Sequence, residues 1–331
     1  MYKHEINRAY DAFKQMNILI IGDVMIDAYI WGNVSRISPE APVPIVNISK
    51  KEYRLGGAAN VALNLKHLGA NPIICGVIGD DRESVIFFDL LAEKELSSSC
   101  IIKEDNRITT TKTRIIGSRQ QLIRVDNELI TPIQIRTANL ITEKIKRIIE
   151  TTSIDGIIFE DYDKGLLNEY IITKIIDIAF SKNIIVAVDP KNKNFFSYKN
   201  STIFKPNLKE LNEGLKTNLT PSDPEKIHTT IKSFCRQYNI KDMVITLSEH
   251  GIFVSDSEQY SVIPAEKRDI ADVSGAGDTV IAVLTLFKAF GLSTIDSTRI
   301  ANLAGGLVCE KSGVVPVDKN QLFSEIIRIF S

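Results

Sequence analysis

Short apolar runs alternate with amphipathic stretches along most of the chain. The run that begins at Asn17 and ends in Gly22-Asp23 is rich in β-branched residues, which is typical of a buried strand. The predicted strands lie near 17–23, 72–78, 154–160, 184–189, 202–204, 242–247, 251–255 and 259–263, and the predicted helices near 57–69, 82–94, 134–152, 167–181, 222–238, 277–290, 296–311 and 319–330. This alternation predicts an α/β fold with a parallel sheet covered on both faces, and such sheets bind ligands at the carboxyl ends of their strands.

Two segments depart from this pattern. Residues 29–53 contain three prolines and alternate apolar with polar positions, and residues 98–126 hold several short strand-like runs. We expect these segments to form a small separate sheet that acts as a lid. The whole chain, 1–331, is then expected to be a single domain with the lid inserted into it.

Composition narrows the function without defining it. The 331 residues are 44% hydrophobic and 24% charged with a net charge of −1, so no bulk charge favours nucleic acid or an anionic membrane. The four cysteines form no C-x-x-C pair, and no apolar run reaches the length of a membrane span. With no apolar core for a signal peptide at the N-terminus, these features predict a cytoplasmic protein with reduced thiols.

The segment Gly275-Ala276-Gly277-Asp278 carries the clearest candidate chemistry. Its small residues precede an apolar helical run, so the helix start offers a close backbone approach and unpaired N–H groups to an anion. A carboxylate there can accept the proton of a hydroxyl held beside that anion, which phosphoryl transfer requires. The alternative is a glycine turn in which Asp278 only satisfies N–H groups at the helix start.

Similar alternatives apply near the N-terminus. The pair Gly56-Gly57 opens a predicted helix with Asn60 one turn later, an arrangement that suits a polyol or a simple tight turn. Asp27 follows the first strand closely, where a carboxylate can bind sugar hydroxyls or remain a solvated turn residue.

Two further segments suit a nucleotide. In Asn207-Leu208-Lys209-Glu210 the outer residues are three apart and share a helix face, which fits a hydrated Mg²⁺ or, alternatively, a capping box. The turn from Thr246 through Ser248 to Gly251 follows a strand and can line a nucleotide pocket or be an ordinary hairpin turn. The chain has no G-x-x-x-x-G-K-[ST], no G-x-G-x-x-G after its first strand and no G-x-S-x-G.

Taken together and in this order, these segments resemble the ribokinase-like (PfkB) carbohydrate kinases over about residues 15–318. The resemblance implies a three-layer α/β/α fold with a small β-sheet lid that often forms a dimer interface, and it implies ATP and Mg²⁺ as cofactors. It implies Asp278 as catalytic base, with the backbone of 275–278 stabilising the transferred phosphoryl group. Asp27, Gly56, Gly57 and Asn60 would hold the sugar. ATP would lie across 207–210, 246–251 and the helix that contains Asn302.

A narrower resemblance lies within that family. Residues 35–44, 118–124, 161–165 and 189–191 are similar to the corresponding segments of D-glycero-β-D-manno-heptose-7-phosphate kinases, which phosphorylate the anomeric O1 on the route to ADP-heptose and lipopolysaccharide. Asp163 and Asn192 depart from that pattern. The resemblance implies a stand-alone kinase, with the adenylyl transfer left to a separate protein. The alternatives are a kinase for another sugar and a non-catalytic sugar-phosphate sensor.

The same resemblance suggests roles for the basic residues and the ions. The candidates for the 7-phosphate are Arg36, Arg119 and Arg124, because guanidinium groups suit bidentate phosphate contacts. Lys164 and Lys191 are candidates for the phosphates at the reaction centre. Glu210 is expected to hold Mg²⁺ through water, and Asp272 is a candidate for a monovalent cation such as K⁺.

Overall fold

A computed structural model of the chain describes residues 3–117, 120–256 and 258–330. These residues contain a nine-stranded and a four-stranded sheet. The strands are β1 Asn17–Gly22, β2 Val24–Ile37, β3 Pro44–Gly57, β4 Asn71–Gly79, β5 Cys100–Glu104, β6 Thr111–Gly117, β7 Gln120–Asn127, β8 Gly156–Glu160, β9 Ile185–Asp189, β10 Ile203–Phe204, β11 Asp242–Thr246, β12 Ile252–Ser255 and β13 Tyr260–Ile263. The helices are α1 Lys3–Phe13, α2 Ala58–Leu68, α3 Arg82–Glu93, α4 Ile135–Thr151, α5 Glu169–Ser181, α6 Leu208–Leu215, α7 Pro224–Tyr238, α8 Ala276–Phe290, α9 Thr294–Cys309 and α10 Lys319–Phe330.

The large sheet has the order β13-β12-β11-β10-β9-β8-β1-β4-β5. Its strands run parallel except for β12, which pairs antiparallel with both β11 and β13 at one edge of the sheet. One face packs on α2, α3 and α8 to α10, and the other on α4 to α7. The result is the three-layer α/β/α architecture that the alternating pattern predicted. No helix in the described part of the chain has both the length and the hydropathy that a bilayer span requires.

The small sheet is the lid, with the order β3-β2-β6-β7. Its strands come from both segments assigned to it, but the boundaries differ from the expectation in one place. Cys100–Glu104 lies at the edge of the large sheet, paired in parallel with β4. The physical reason is burial between two helix layers: Ile101 packs in one core cluster, and Cys100 and Ile102 pack in the other.

Most predicted elements are present within a few residues of their expected bounds. Helix α1 is an addition that the sequence pattern did not predict. Its buried residues Ile6, Ala9, Tyr10 and Phe13 follow helical spacing, and the Tyr10 and Phe13 rings pack against Phe287 of α8. The N-terminal segment is therefore part of the core that packs against the C-terminal end of α8.

Candidate active site

Three charged side chains end neighbouring strands of the large sheet beneath the start of α8. β8 ends at Glu160, β9 ends at Asp189, and Lys205 follows β10; they are 1%, 8% and 2% exposed. The residues two positions earlier in each strand pack in the core cluster that contains α8, so these three side chains share that face. Lys205 Nζ lies 2.6 Å from Asp189 Oδ2, whereas Glu160 Oε2 has no hydrogen-bond partner among the described residues. Burial raises the pKa of Glu160 well above its ordinary value.

Asp278 lies in the first turn of α8 and is 4% exposed. Each of its carboxylate oxygens accepts one hydrogen bond. Asn60 Nδ2 donates to Oδ2 over 2.7 Å, and the Tyr162 hydroxyl donates to Oδ1 over 2.7 Å. Burial raises the pKa of Asp278 to about 6, against the opposing effect of the two donors. A carboxyl group with such a pKa is ionised at neutral pH yet able to take up a proton.

The glycines on either side of Ala276 let the backbone approach this cluster. Gly275 precedes α8 with a φ of 80°, and a side chain there would bring its Cβ to 2.9 Å from Asn60 Nδ2. A Cβ on Gly277 would lie 3.9 Å from both Asp189 Oδ2 and Lys205 Nζ. The first turn of the helix, with its unpaired N–H groups, therefore lies directly over a buried ammonium group.

The N-terminal glycine pair lies where the lid joins the main sheet. Gly56 lies against the Asp27 carboxylate, and Gly57, with a φ of 56°, lies against the backbone carbonyl of Asp23. Asn60 follows in α2 and is fully buried, with its amide nitrogen directed at Asp278. The sugar contact expected of Asn60 stays a prediction, and in the structure its amide nitrogen donates to the Asp278 carboxylate.

Asp27 is also paired within the protein. Its carboxylate accepts a hydrogen bond from Arg114 of β6, and both residues are buried. The Arg114 and Arg54 guanidinium groups lie 5.4 and 4.9 Å from the centre of the Tyr29 ring. Arg114 was not singled out in the sequence. Lys112 and Arg114 are two positions apart in β6, and this spacing is the signal that could have placed both side chains on the lid face of Asp27.

The loop that supplies Tyr162 is held by Asp23. The Asp23 carboxylate accepts hydrogen bonds from the backbone N–H groups of Tyr162, Lys164 and Leu166 at 2.9, 3.0 and 3.4 Å. Asp163, one of the two departures from the resemblance, has a φ of 55°, a left-handed conformation that Asp tolerates. Tyr162 belongs to a segment noted only for its resemblance, and its contact with Asp278 could not be read from its sequence position.

The segments expected to bind the nucleotide lie at the same carboxyl ends of the strands. Asn207 and Glu210 form the capping box that was one of the two interpretations, with both hydrogen bonds at 2.8 Å. Lys191 pairs with the other oxygen of Glu210, and its ammonium group lies 5.5 Å from the centre of the Tyr162 ring. Leu208 and Lys209 begin α6 in the sequence between the capping residues. These contacts link the 207–210 segment to the Asp278 cluster.

The turn after β11 lies beside the 207–210 segment. Thr246 bridges to Asn207 in parallel, which places the two predicted nucleotide segments side by side. Ser248 begins a short 3-10 turn, and Gly251 follows it with a φ of 89°. Asn302 of α9 donates to the carbonyl of Pro264 over 2.9 Å, so its amide is engaged within the protein.

The basic residues expected to contact phosphate differ in their surroundings. Arg36 is exposed near the end of β2, and Arg124 of β7 is held by both oxygens of Asp126 at 2.9 and 3.0 Å. Arg119 lies outside the described residues. Lys164 donates to Glu128 over 2.8 Å, so a phosphate at Lys164 would have to compete with that carboxylate.

The surroundings of Glu210 fit a magnesium ion whose other ligands are mostly nucleotide phosphates and water. Both Glu210 oxygens already accept hydrogen bonds, one from the Asn207 N–H and one from Lys191, so Glu210 is suited to a contact through water. In the described residues no cluster of three metal-binding side chains is present. Asp272 accepts hydrogen bonds from the backbone N–H groups of Ser274 and Gly313 at 2.9 and 3.0 Å, and it thereby ties the loop before α8 to the loop after α9.

A family model described as "pfkB family carbohydrate kinase" matches residues 15–320. The chain belongs to this family. The members of this family are ATP-dependent sugar kinases, which use ATP with a divalent metal. The sequence is 39% identical to the bifunctional protein HldE of Helicobacter hepaticus over 95% of this chain, and 38% identical to HldE of Magnetococcus marinus over 94% of it. In both cases the chain spans 64% of the relative's length.

Solved structures show the same fold. Phosphofructokinase-2 from Escherichia coli in complex with potassium aligns with a TM-score of 0.76 at 19% identity, covering 95% of this chain and 99% of that one. Ribokinase from Arabidopsis thaliana complexed with ribose and ATP aligns with a TM-score of 0.70 at 16% identity, covering 93% and 98%. The ribokinase-like architecture predicted from the motifs is thus confirmed.

Proposed function

We propose that this kinase transfers the γ-phosphoryl group of ATP to the anomeric O1 of D-glycero-D-manno-heptose 7-phosphate. The product would be the 1,7-bisphosphate, an intermediate on the way to ADP-heptose for lipopolysaccharide core or surface glycan. The observation that carries the proposal is the buried Asp278 carboxylate at the start of α8, which accepts two hydrogen bonds beside the lid. The chain is also similar to the HldE proteins along 64% of their length.

In the proposed reaction, Asp278 takes the proton of the O1 hydroxyl. The O1 oxygen then bonds to the γ-phosphorus, and the bond from that phosphorus to the β–γ bridging oxygen breaks, so ADP leaves. The backbone N–H groups of residues 275–278 would stabilise the charge on the transferred phosphoryl group. Lys205, whose ammonium group is 3.9 Å from the position that a Cβ would take at Gly277, would add a positive charge beneath them. Closure of the lid would exclude water and limit hydrolysis of ATP.

The sugar would bind between the lid and the main sheet. Gly56 and Gly57 allow close approach there, and Asp27 would offer the hydrogen-bonding capacity that Arg114 leaves free. The 7-phosphate would be bound by Arg36, Arg119 and Arg124, with Arg124 exchanging its bond to Asp126 for one to phosphate.

The nucleotide would lie along 207–210 and 246–251, with Asn302 at its far wall and Lys191 directed to its phosphates. Mg²⁺ would neutralise charge on those phosphates, with Glu210 contacting it through water. A monovalent cation such as K⁺ would belong at the loop of Asp272, whose carboxylate already gathers backbone groups from two loops.

The lid would also join two copies of the chain. Tyr53, Ile123 and Val125 are 40%, 54% and 50% exposed, and the strand register places them on the lid face opposite Asp27 and Arg114. Pairing would cover this apolar face. Light scattering should give twice the chain mass, and Val125→Asp should lower it to that of a monomer. Ile135→Asp, at an 82% exposed site on α4, is the matched control that should leave the mass unchanged. A monomeric parent protein would contradict the homodimer.

The substrate is tested by ATP consumption over a panel of heptose 7-phosphate, ribose, fructose 6-phosphate and adenosine. We expect a clear preference, by kcat/KM, for the heptose phosphate. Preference for another sugar would replace the proposed substrate while keeping the kinase. Absence of turnover with every sugar would favour a sugar-phosphate sensor on the same fold.

A further inference from the structure

The contact between Tyr162 and Asp278 points to a role for a residue that lies outside the motifs of the proposed mechanism. We propose that Tyr162 is a positioning residue whose hydroxyl keeps the Asp278 carboxylate ionised and directed at the acceptor hydroxyl. This inference rests on the proposed role of Asp278 as the catalytic base and deepens it.

The hydrogen-bond geometry gives each donor its own oxygen. Tyr162 donates to Oδ1 and Asn60 donates to Oδ2, both over 2.7 Å. Burial raises the pKa of the Tyr162 hydroxyl well above its ordinary value, so it stays protonated and acts as a donor. A carboxylate oxygen has two lone pairs. Each oxygen of Asp278 therefore keeps one acceptor site for the substrate hydroxyl while its orientation is fixed from both sides.

The surroundings explain why such a donor is needed. The charged groups that face this site from the neighbouring strands and the lid are Asp27, Glu160, Asp189, Lys191, Lys205 and Arg114. Three of these groups are acids. Each cation is paired with a carboxylate other than Asp278: Arg114 with Asp27, Lys205 with Asp189, and Lys191 with Glu210. Burial and the nearby acids favour the protonated form of Asp278, in which it cannot act as a base. Hydrogen bonds to the ionised form oppose that tendency.

Tyr162 is held in place independently of Asp278. Its backbone N–H donates to Asp23 over 2.9 Å, and the Lys191 ammonium lies 5.5 Å from the centre of its ring. Removing the hydroxyl should therefore leave the ring and loop where they are. Tyr198 offers a matched comparison, because its hydroxyl donates over 2.7 Å to Asp161, a carboxylate that does not contact Asp278.

The test is the dependence of kcat on pH for Tyr162→Phe, Tyr198→Phe and the parent enzyme, with ATP and heptose 7-phosphate. Loss of a donor to an ionised group raises its pKa, so the acid limb of Tyr162→Phe should move up by about one pH unit. Below that limb its turnover should fall about tenfold more than at pH 8, while the KM for ATP stays unchanged. The sugar phosphate itself titrates near pH 6, so the comparison is made between variants, which share that titration.

The outcomes separate this inference from the mechanism on which it rests. An unmoved acid limb in Tyr162→Phe, or an equal movement in Tyr198→Phe, overturns the inference if Asp278→Asn is inactive, and the base assignment then stands. An active Asp278→Asn overturns both. If Tyr162→Phe does not fold, a fluorinated tyrosine at position 162 is measured instead. Its hydroxyl is a stronger donor, so the acid limb should move to lower pH, and no movement overturns the inference.

Discussion

Replacing Asp278 with asparagine should make the ligand-free protein more stable at pH 8. Burial holds the pKa of this carboxyl at about 6 in the folded protein, against an ordinary value of 3.8. A carboxyl whose pKa rises by this much on folding costs about 3 kcal/mol of stability once it is ionised in both states. Asparagine carries no charge and avoids that cost.

The sign of the effect depends on pH. Because the folded pKa is raised, the protonated form contributes stability that is fully present below about pH 4 and is lost as the pH rises to about 6. The advantage of asparagine should therefore be less than about 1 kcal/mol at pH 4 and reach its full size above pH 7.

Asparagine can also keep the geometry of the site. Its carbonyl can accept from Asn60 Nδ2, and its amide can donate to the Tyr162 hydroxyl, which is both donor and acceptor. We therefore expect a net gain of about 2 to 3 kcal/mol at pH 8, or about 4 °C in Tm for a protein of this size.

The assay is thermal unfolding, followed by circular dichroism at pH 4 and pH 8 without ligands. Asp256→Asn is the control, because the backbone N–H groups of Gln259 and Glu258 hold the pKa of Asp256 below its ordinary value. Its ionised form is stabilising, so its replacement should give no gain at pH 8. The reasoning is refuted if Asp278→Asn is no more stable than the parent at pH 8, or if its gain is the same at both pH values.

Other outcomes follow from the charged groups of the site. Asp27→Asn should lower the free energy of unfolding by about 3 kcal/mol, because it leaves Arg114 buried without its partner. Urea unfolding measures this change, and an unchanged unfolding midpoint would contradict the pairing. Lys205→Met should lower kcat more than tenfold with little change in ATP affinity measured by calorimetry, because it removes the positive charge beneath the first turn of α8. A higher KM for ATP with an unchanged kcat would argue against a role for Lys205 in the transfer step. Chelation with EDTA should abolish turnover and added Mg²⁺ should restore it, whereas activity that survives chelation would exclude the metal from the reaction.

The sequence predicts what depends on local pattern. Strands β1 and β8 and helices α4 and α8 follow from runs of apolar residues at the right period, and Asp278 follows from glycines that open a helix. Asn207 and Glu210 are three residues apart, so their capping box is visible without any tertiary information.

The contacts that complete the site depend on tertiary structure. Asp278 lies 116 residues from Tyr162 and 218 residues from Asn60, and Asp27 lies 87 residues from Arg114. No periodicity connects such positions, because strand order and register decide which side chains meet. For the same reason Cys100–Glu104 could be recognised as a strand but not assigned to the correct sheet.

Turnover of Asp278→Asn with ATP and heptose 7-phosphate at pH 8, beside the parent enzyme, tests the central claim most directly. Loss of a general base should lower kcat by about 10²-fold or more while ATP binding and the fold persist. Near-parent turnover in a folded, ATP-binding variant would contradict the assignment of Asp278 as the base.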